Sequence, residues 1–192
     1  ALDLIARTGV WKSKEQYLAS LFVLKQIQQV WERAQGAGEL ARLTQPAIVA
    51  ELTRSLQPRR LFLHGPGGSG KTYCMTEVVI PVVLRFFGPR GVKAIASANR
   101  AARLLKGKTM HAASKLTRQQ SMRQKHLRPR KSRKDALSSE WHDTLLLLAD
   151  EVGLASPTLL NAVSTSAFYG RLHAGSLDKN KMLEQPFGDV LL

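Results

Sequence analysis

One cysteine, Cys74, is the whole thiol content of this 192-residue chain. That excludes a disulfide framework and any cysteine-built zinc site, and it fits a reducing compartment. Long apolar runs are missing too: no stretch approaches the roughly 18 residues that a membrane span needs. No secretory leader pattern opens the chain. Acidic residues are scarce in one place above all, with none between Glu77 and Asp135. The net charge is +15, from 29 basic and 14 acidic residues, and much of the excess lies between Arg100 and Lys134. A cluster of one sign at this density is the footprint expected of a polyanionic partner. The part from Gln119 to Lys134 holds few apolar residues and reads equally well as a solvated loop. A mobile basic loop that orders on nucleic acid satisfies both readings.

The chain begins with Ala and closes on Asp189-Val190-Leu191-Leu192. A domain rarely stops inside an apolar run, so the expectation is a fragment.

Among the residues that are present, Gly65-Pro66-Gly67-Gly68-Ser69-Gly70-Lys71-Thr72 is the most informative run. It fits G-x-x-x-x-G-K-[ST] at every fixed position. The glycines allow backbone conformations closed to other residues, so successive N–H groups can turn inward around an anion. Lys71 supplies a positive charge for the outer phosphates of a nucleotide. The Thr72 hydroxyl is a hard oxygen ligand suited to Mg²⁺. Leu61-Phe62-Leu63 reads as a buried strand before the loop, and 72–80 as the helix after it, so that a helix N-terminus faces the phosphates.

The second chemical motif is the apolar run at 145–149 followed by Asp150 and Glu151. It reads as a strand covered on both faces that delivers two carboxylates to the C-terminal edge of a sheet, where ligands bind in open α/β folds. Asp150 suits Mg²⁺. Glu151 suits acceptance of a proton from the water that attacks the γ-phosphate. A guanine-reading Asn-Lys-x-Asp is absent, because Asn180-Lys181-Met182-Leu183 fails at its last position. ATP hydrolysis is the better reading.

Further elements follow from periodicity and punctuation. Residues 14–34 have the apolar spacing of an amphipathic helix. Helices are expected at 46–56, at 99–105 closed by Gly107, and from Ser156-Pro157 to about Phe168, with Ser156 as cap. Pro81 should end or kink the helix after the loop. Strands are expected at 92–97 and 190–192, and 170–180 as loop. Strands alternating with helices imply a parallel α/β sheet with helices on both faces. The organisation expected is a helical segment over 1–58 and a nucleotide-binding domain over 59–192, carrying a basic insertion at 115–138.

Several further runs now carry a resemblance. The phosphate loop, then residues 96–105, then Gly107-Lys108-Thr109-Met110-His111, resemble successive motifs of the PIF-type DNA helicases of superfamily I. Trp141 ahead of Asp150-Glu151, the helix of 157–168 and Pro186-Phe187-Gly188 continue the same order. The resemblance covers about residues 61–192, and its Gly-Lys-Thr-Met-His and Pro-Phe-Gly elements are far more specific than the loop. It implies a RecA-like motor domain that couples Mg-ATP hydrolysis to 5′-to-3′ movement on single-stranded DNA, inside the nucleus or mitochondrion. Telomere maintenance, mitochondrial DNA upkeep, repair and mobile-element replication all use the family. The resemblance places Ser97, Asn99, Arg100, Thr109 and His111 on the DNA-facing side. Asn99 reads also as a helix cap, and His111 as a locally satisfied helix or turn residue. The family's Ile-Ser-Met after Asp-Glu is replaced by Val152-Gly153-Leu154. Its adenine-contacting glutamine has three candidates, Gln16, Gln26 and Gln28. Its next motif, Gly-Asp-x-x-Gln, and a second motor domain with arginine fingers would follow residue 192; without them the chain is expected to bind nucleotide weakly and turn it over slowly. An AAA-type loader or remodeller shares both nucleotide motifs, and a decayed, non-enzymatic basic module is a third possibility. Neither needs Gly-Lys-Thr-Met-His, and intact Lys71, Thr72, Asp150 and Glu151 argue against decay.

Overall fold

Three short parallel strands position everything that follows. The computed structural model describes residues 13–36, 62–63, 65–117, 131–144 and 146–173, together with positions 7, 9, 38 and 187. Strand β1 is Val92–Ala96, β2 is Lys108–Thr109 and β3 is Leu146–Asp150, in the order β2-β1-β3. Both pairings are parallel. Ala96 is the register partner of Thr109 on one side and of Asp150 on the other, so the three strands end at one level.

The helices, in chain order, are α1 (Lys14–Gly36), α2 (Lys71–Cys74), α3 (Ile80–Phe87), α4 (Asn99–Leu104), α5 (Met110–Ala113), α6 (Lys131–Trp141) and α7 (Pro157–His173). They cover both faces of the sheet. Leu146 and Leu148 pack with Ile27, Val30 and Ala34 of α1 and with Val82 and Val83 of α3. Leu147 and Ile95 point the other way, onto Leu137 and Trp141 of α6 and Val163 of α7. This alternation explains why the run before Asp150 is apolar at every position: each face of a doubly covered strand needs its own apolar set. Among the described residues, no helix is long and apolar enough to cross a membrane.

Several elements differ from the sequence reading. Phe62 and Leu63 are in no strand, and Phe62 is 75% exposed. Both line an apolar groove of about 610 Å³ along β3, with Leu146 and Leu148 on its wall. They therefore lie beside β3 outside its ladder, and Leu61 of the expected strand lies outside the described residues. Pro81 does not end its helix. The chain runs as a π turn over Met75–Val79, in which Ile80 N–H reaches Met75 O, and then continues as α3. The wide turn relieves the crowding that a proline imposes on the turn before it.

Helix α4 closes on Lys106 rather than Gly107. Lys106 takes the left-handed conformation (φ 51°). Gly107 N–H bonds Ala102 O at 2.8 Å, and Lys106 N–H bonds Arg103 O at 3.0 Å, the two bonds of a Schellman ending. Gly107 is needed for another reason: a Cβ there would run into the Ala94 carbonyl of β1. Asn99 is not a cap, because Ala98 occupies that position. Ser156 is one, accepting Leu159 N–H at 3.2 Å.

Helix α7 runs on to His173, through part of the stretch read as loop. Gly170 is tolerated there because α6 crosses so closely that a Cβ would meet Leu137 O and the Trp141 side chain. Residues 131–138, read as the end of a basic insertion, belong to α6, where Leu137 is fully buried. The expected helix at 46–56, the expected strand at 190–192, and residues 118–130 lie outside the described residues.

Candidate nucleotide and nucleic-acid site

The phosphate loop bends through two left-handed glycines, Gly68 and Gly70, each at φ 77°. Gly70 is the N-cap of α2 and no side chain caps that end, so the first amides of the helix are directed at the loop. Lys71 folds over the same concavity. Its Nζ donates to Gly65 O and Pro66 O, both at 2.8 Å, and to Ser69 Oγ at 3.1 Å. The loop thus gathers a mobile ammonium and a row of backbone donors within one turn of chain.

Helix α1 reaches the loop as well. Gln16 Nε2 donates to Ser69 O at 2.7 Å, and its carboxamide lies where a Cβ on Gly70 would have to go. Of the three glutamines that the sequence left open, Gln28 pairs with Glu32 at 2.7 Å on the exposed side of α1. Gln26 is buried beside the apolar groove. Gln16 is the one brought to the phosphate loop. Ser20 Oγ ties Gln16 O at 2.7 Å and meets Cys74 Sγ at 3.1 Å. Burial pushes the Cys74 thiol above its ordinary range, with the Ser20 bond opposing, which keeps it protonated and inert at neutral pH. Cys74 is a small, buried core residue.

The two carboxylates come from the end of β3. Thr72 Oγ1 donates to Asp150 Oδ2 at 3.0 Å, closing the loop onto the strand. Glu151 stands in the left-handed region at φ 52°. Its N–H bonds Asp150 Oδ1 at 2.8 Å and its carbonyl accepts Ser97 Oγ at 3.1 Å. The backbone of Glu151 is therefore pinned at both ends while its side chain stays exposed. A non-glycine residue held at positive φ marks a conformation that its surroundings impose. Thr72 and Asp150 present hard oxygens at one point. Few protein oxygens with room for phosphate and water is the donor set that Mg²⁺ uses, so the residues fit that ion. Among the described residues no cluster of three or more His, Cys, Asp or Glu exists that would hold a metal by itself.

The candidate DNA-facing residues lie along the same edge of the sheet. Ser97 follows β1. Asn99 and Arg100 are exposed in the first turn of α4. Thr109 ends β2 and caps α5 by accepting Ala112 N–H at 3.2 Å. His111 is half-buried in α5.

Part of the basic run has another use. Arg133 Nη2 donates to Ser114 O and Ser166 Oγ, both at 3.0 Å, fastening α6 to the end of α5 and to α7. Sequence reasoning missed this, and it missed Lys93 and Glu140 entirely. Glu140, with a side chain 6% exposed, is bonded by Lys93 at 2.6 Å, Lys108 at 2.7 Å and Lys115 at 3.1 Å. Burial by itself would raise the Glu140 carboxyl. The bonds from Lys108 and Lys93, the Lys93 charge and the Lys115 bond outweigh that and hold it at about 2. Lys93 also sits 5.2 Å over the ring of Trp141, whose Nε1 donates to Ala113 O at 3.0 Å.

No curated protein and no solved structure matches this chain significantly. One family model, described as PIF1-like helicase, matches residues 44–190. The match spans the phosphate loop, the Ser97 and Thr109 segments, Asp150-Glu151 and Phe187, while Gln16 precedes it. Covering most of the chain, it agrees with the order of motifs and with their meeting at one sheet edge: the chain belongs to the PIF1-like helicase family.

Proposed function

We propose that this chain is the ATP-hydrolysing part of a RecA-like motor that moves 5′-to-3′ along single-stranded DNA. The observation that carries the reading is the Thr72–Asp150 bond, which joins the two nucleotide motifs at the edge where Ser97 and Thr109 also stand. Mg²⁺, held by Thr72 and Asp150, would neutralise phosphate charge when bound with ATP. The loop amides and Lys71 bind and orient the phosphates. Gln16 props the loop from α1, which makes it the glutamine we assign to the adenine contact. Glu151 accepts the proton of the attacking water; its pinned backbone aims the carboxylate without reorganisation at the moment of reaction.

The Ser97–Glu151 bond supplies the coupling. A hydroxyl on the DNA side holds the carbonyl of the residue that acts as base. A strand that engages Ser97 acts on Glu151 through a single hydrogen bond. Phosphate contacts of this kind place the strand without reading its sequence. A second motor domain completes such a site with an arginine finger.

The test is ATPase activity of the full-length protein, second motor domain included, with and without single-stranded DNA. We expect stimulation by DNA, abolition by Lys71→Ala, and a loss of about 10²–10⁴-fold with Glu151→Gln while nucleotide still binds. A rate indifferent to DNA contradicts the motor reading. Full activity in Glu151→Gln removes Glu151 as the base.

A further inference from the structure

The Glu140 cage holds more positive charge than it needs. Three ammonium groups, from Lys93, Lys108 and Lys115, converge on one carboxylate, so the cluster carries two charges in excess. Its inner members are fixed. Glu140 is 6% and Lys93 14% exposed at the side chain, and Lys93 is further held over Trp141. Burial pushes Lys93 below its ordinary value even though Glu140 opposes this. The outer members face solvent, Lys108 at 51% and Lys115 at 36%. Each ammonium has three donors, and the Glu140 bonds leave donors of these two lysines pointing outward.

The backbone favours the same conclusion. Lys115 is held in the left-handed region at φ 51°, a position that glycine or asparagine fills with less strain. A lysine kept there against local preference is a sign that its side chain is used. The two lysines also lie within the stretch from Glu77 to Asp135 that has no acidic residue between its ends. The place is right as well. Lys108 immediately precedes Thr109, at the register level of Ile95, on the β2 flank of the sheet. Asp150 and the phosphate loop lie on the β3 flank. A strand lying along Arg100, Ser97 and Thr109 would pass from the nucleotide side to this flank.

We infer that Lys108 and Lys115 form a two-ammonium clamp for a backbone phosphate of single-stranded DNA, built on a buried frame of Glu140, Lys93 and Trp141. The inference rests on the strand-tracking reading above. The frame fixes the separation of the two ammonium groups, so part of the side-chain ordering is complete before the phosphate arrives. Lys108 and Lys115 are both positioned by Glu140 of α6.

The experiment is a salt titration of the full chain binding a fluorescently labelled oligothymidylate. Loss of one phosphate contact lowers the slope of log affinity against log salt by about 0.7 for a single strand. We expect that decrease in Lys108→Ala/Lys115→Ala and the wild-type slope in Lys108→Arg/Lys115→Arg. The control is Lys14→Ala/Lys25→Ala, which removes the same charge from exposed positions of α1 and should leave the slope alone. If the double variant melts early by circular dichroism, Lys108→Ala alone, the more exposed of the two, must still lower the slope. An unchanged slope in these variants overturns the clamp, and so does an equal decrease in the α1 control. Wild-type binding that ignores salt instead overturns the strand-tracking reading itself.

Discussion

The phosphate loop and the Glu140 cage both organise lysine charge, and they do so by opposite means. In the loop, Lys71 is held by backbone carbonyls and one serine within six residues of itself. The cradle is made of amides, and left-handed glycines shape it. In the cage, lysines from β1, β2 and the end of α5 converge on a carboxylate from α6, up to 47 residues away. Its shape comes from packing: Trp141 is fully buried, and Gly170 lets α7 approach it. A local site of the first kind needs little support beyond its own turn. A site of the second kind stands or falls with the fold around it.

That contrast is open to direct attack, most severely through the packing. Trp141→Ala removes the largest fully buried side chain among the described residues and its bond to Ala113. We expect a loss of about 3–5 kcal/mol, a large part of the stability of a small domain, visible as a lower thermal midpoint. The phosphate loop should keep its nucleotide affinity below that midpoint if it is as local as it looks.

Acid offers a milder test of the cage. Glu140 titrates at about 2 in the folded chain, against an ordinary 4.5. A depressed folded pKa means stability that is complete above about pH 4.5 and lost as pH falls toward 2. The contribution is about 3 kcal/mol at most. Thermal melts should show the wild type losing stability through this window more steeply than Glu140→Gln. Parallel pH profiles of the two proteins would show that the cage is not what acid dissolves.

The smallest effect concerns a bond outside both regions, from the end of β1 to the residue after β3. Ser97→Ala removes one hydrogen bond to the Glu151 carbonyl, worth about 0.5–1.5 kcal/mol. We expect a two- to tenfold decrease in DNA-stimulated kcat with little change in KM for ATP. A change in KM alone would mean that Ser97 acts on binding, not on the base.

How far these features were legible follows from their range in sequence. The loop, the strand ending in Asp150-Glu151, helix α1 and the capped start of α7 could each be read from contiguous residues, because turn chemistry, apolar periodicity and capping act within a few positions. Pro81 was expected to end or kink its helix and does not end it, because a π turn one step earlier, which rules built on α geometry do not foresee, makes room for it. Gly170 misled: it looked like a loop residue, and its real role is a helix crossing with a distant partner. Gln16 could not be told from Gln26 and Gln28 until α1 was laid against the loop. Arg133 read only as part of the basic run and Glu140 went unnoticed, because polar contacts between distant segments leave no mark on either segment alone.

By itself, then, the amino-acid order determined the phosphate loop, the Asp-Glu strand end and the excess of positive charge, since local backbone chemistry and composition carry all three. Only the tertiary structure decided which glutamine meets the loop, that Ser97 holds Glu151, and that Glu140 gathers three lysines. Those are meetings of residues far apart in the chain, set by how the helices pack on the two faces of the sheet.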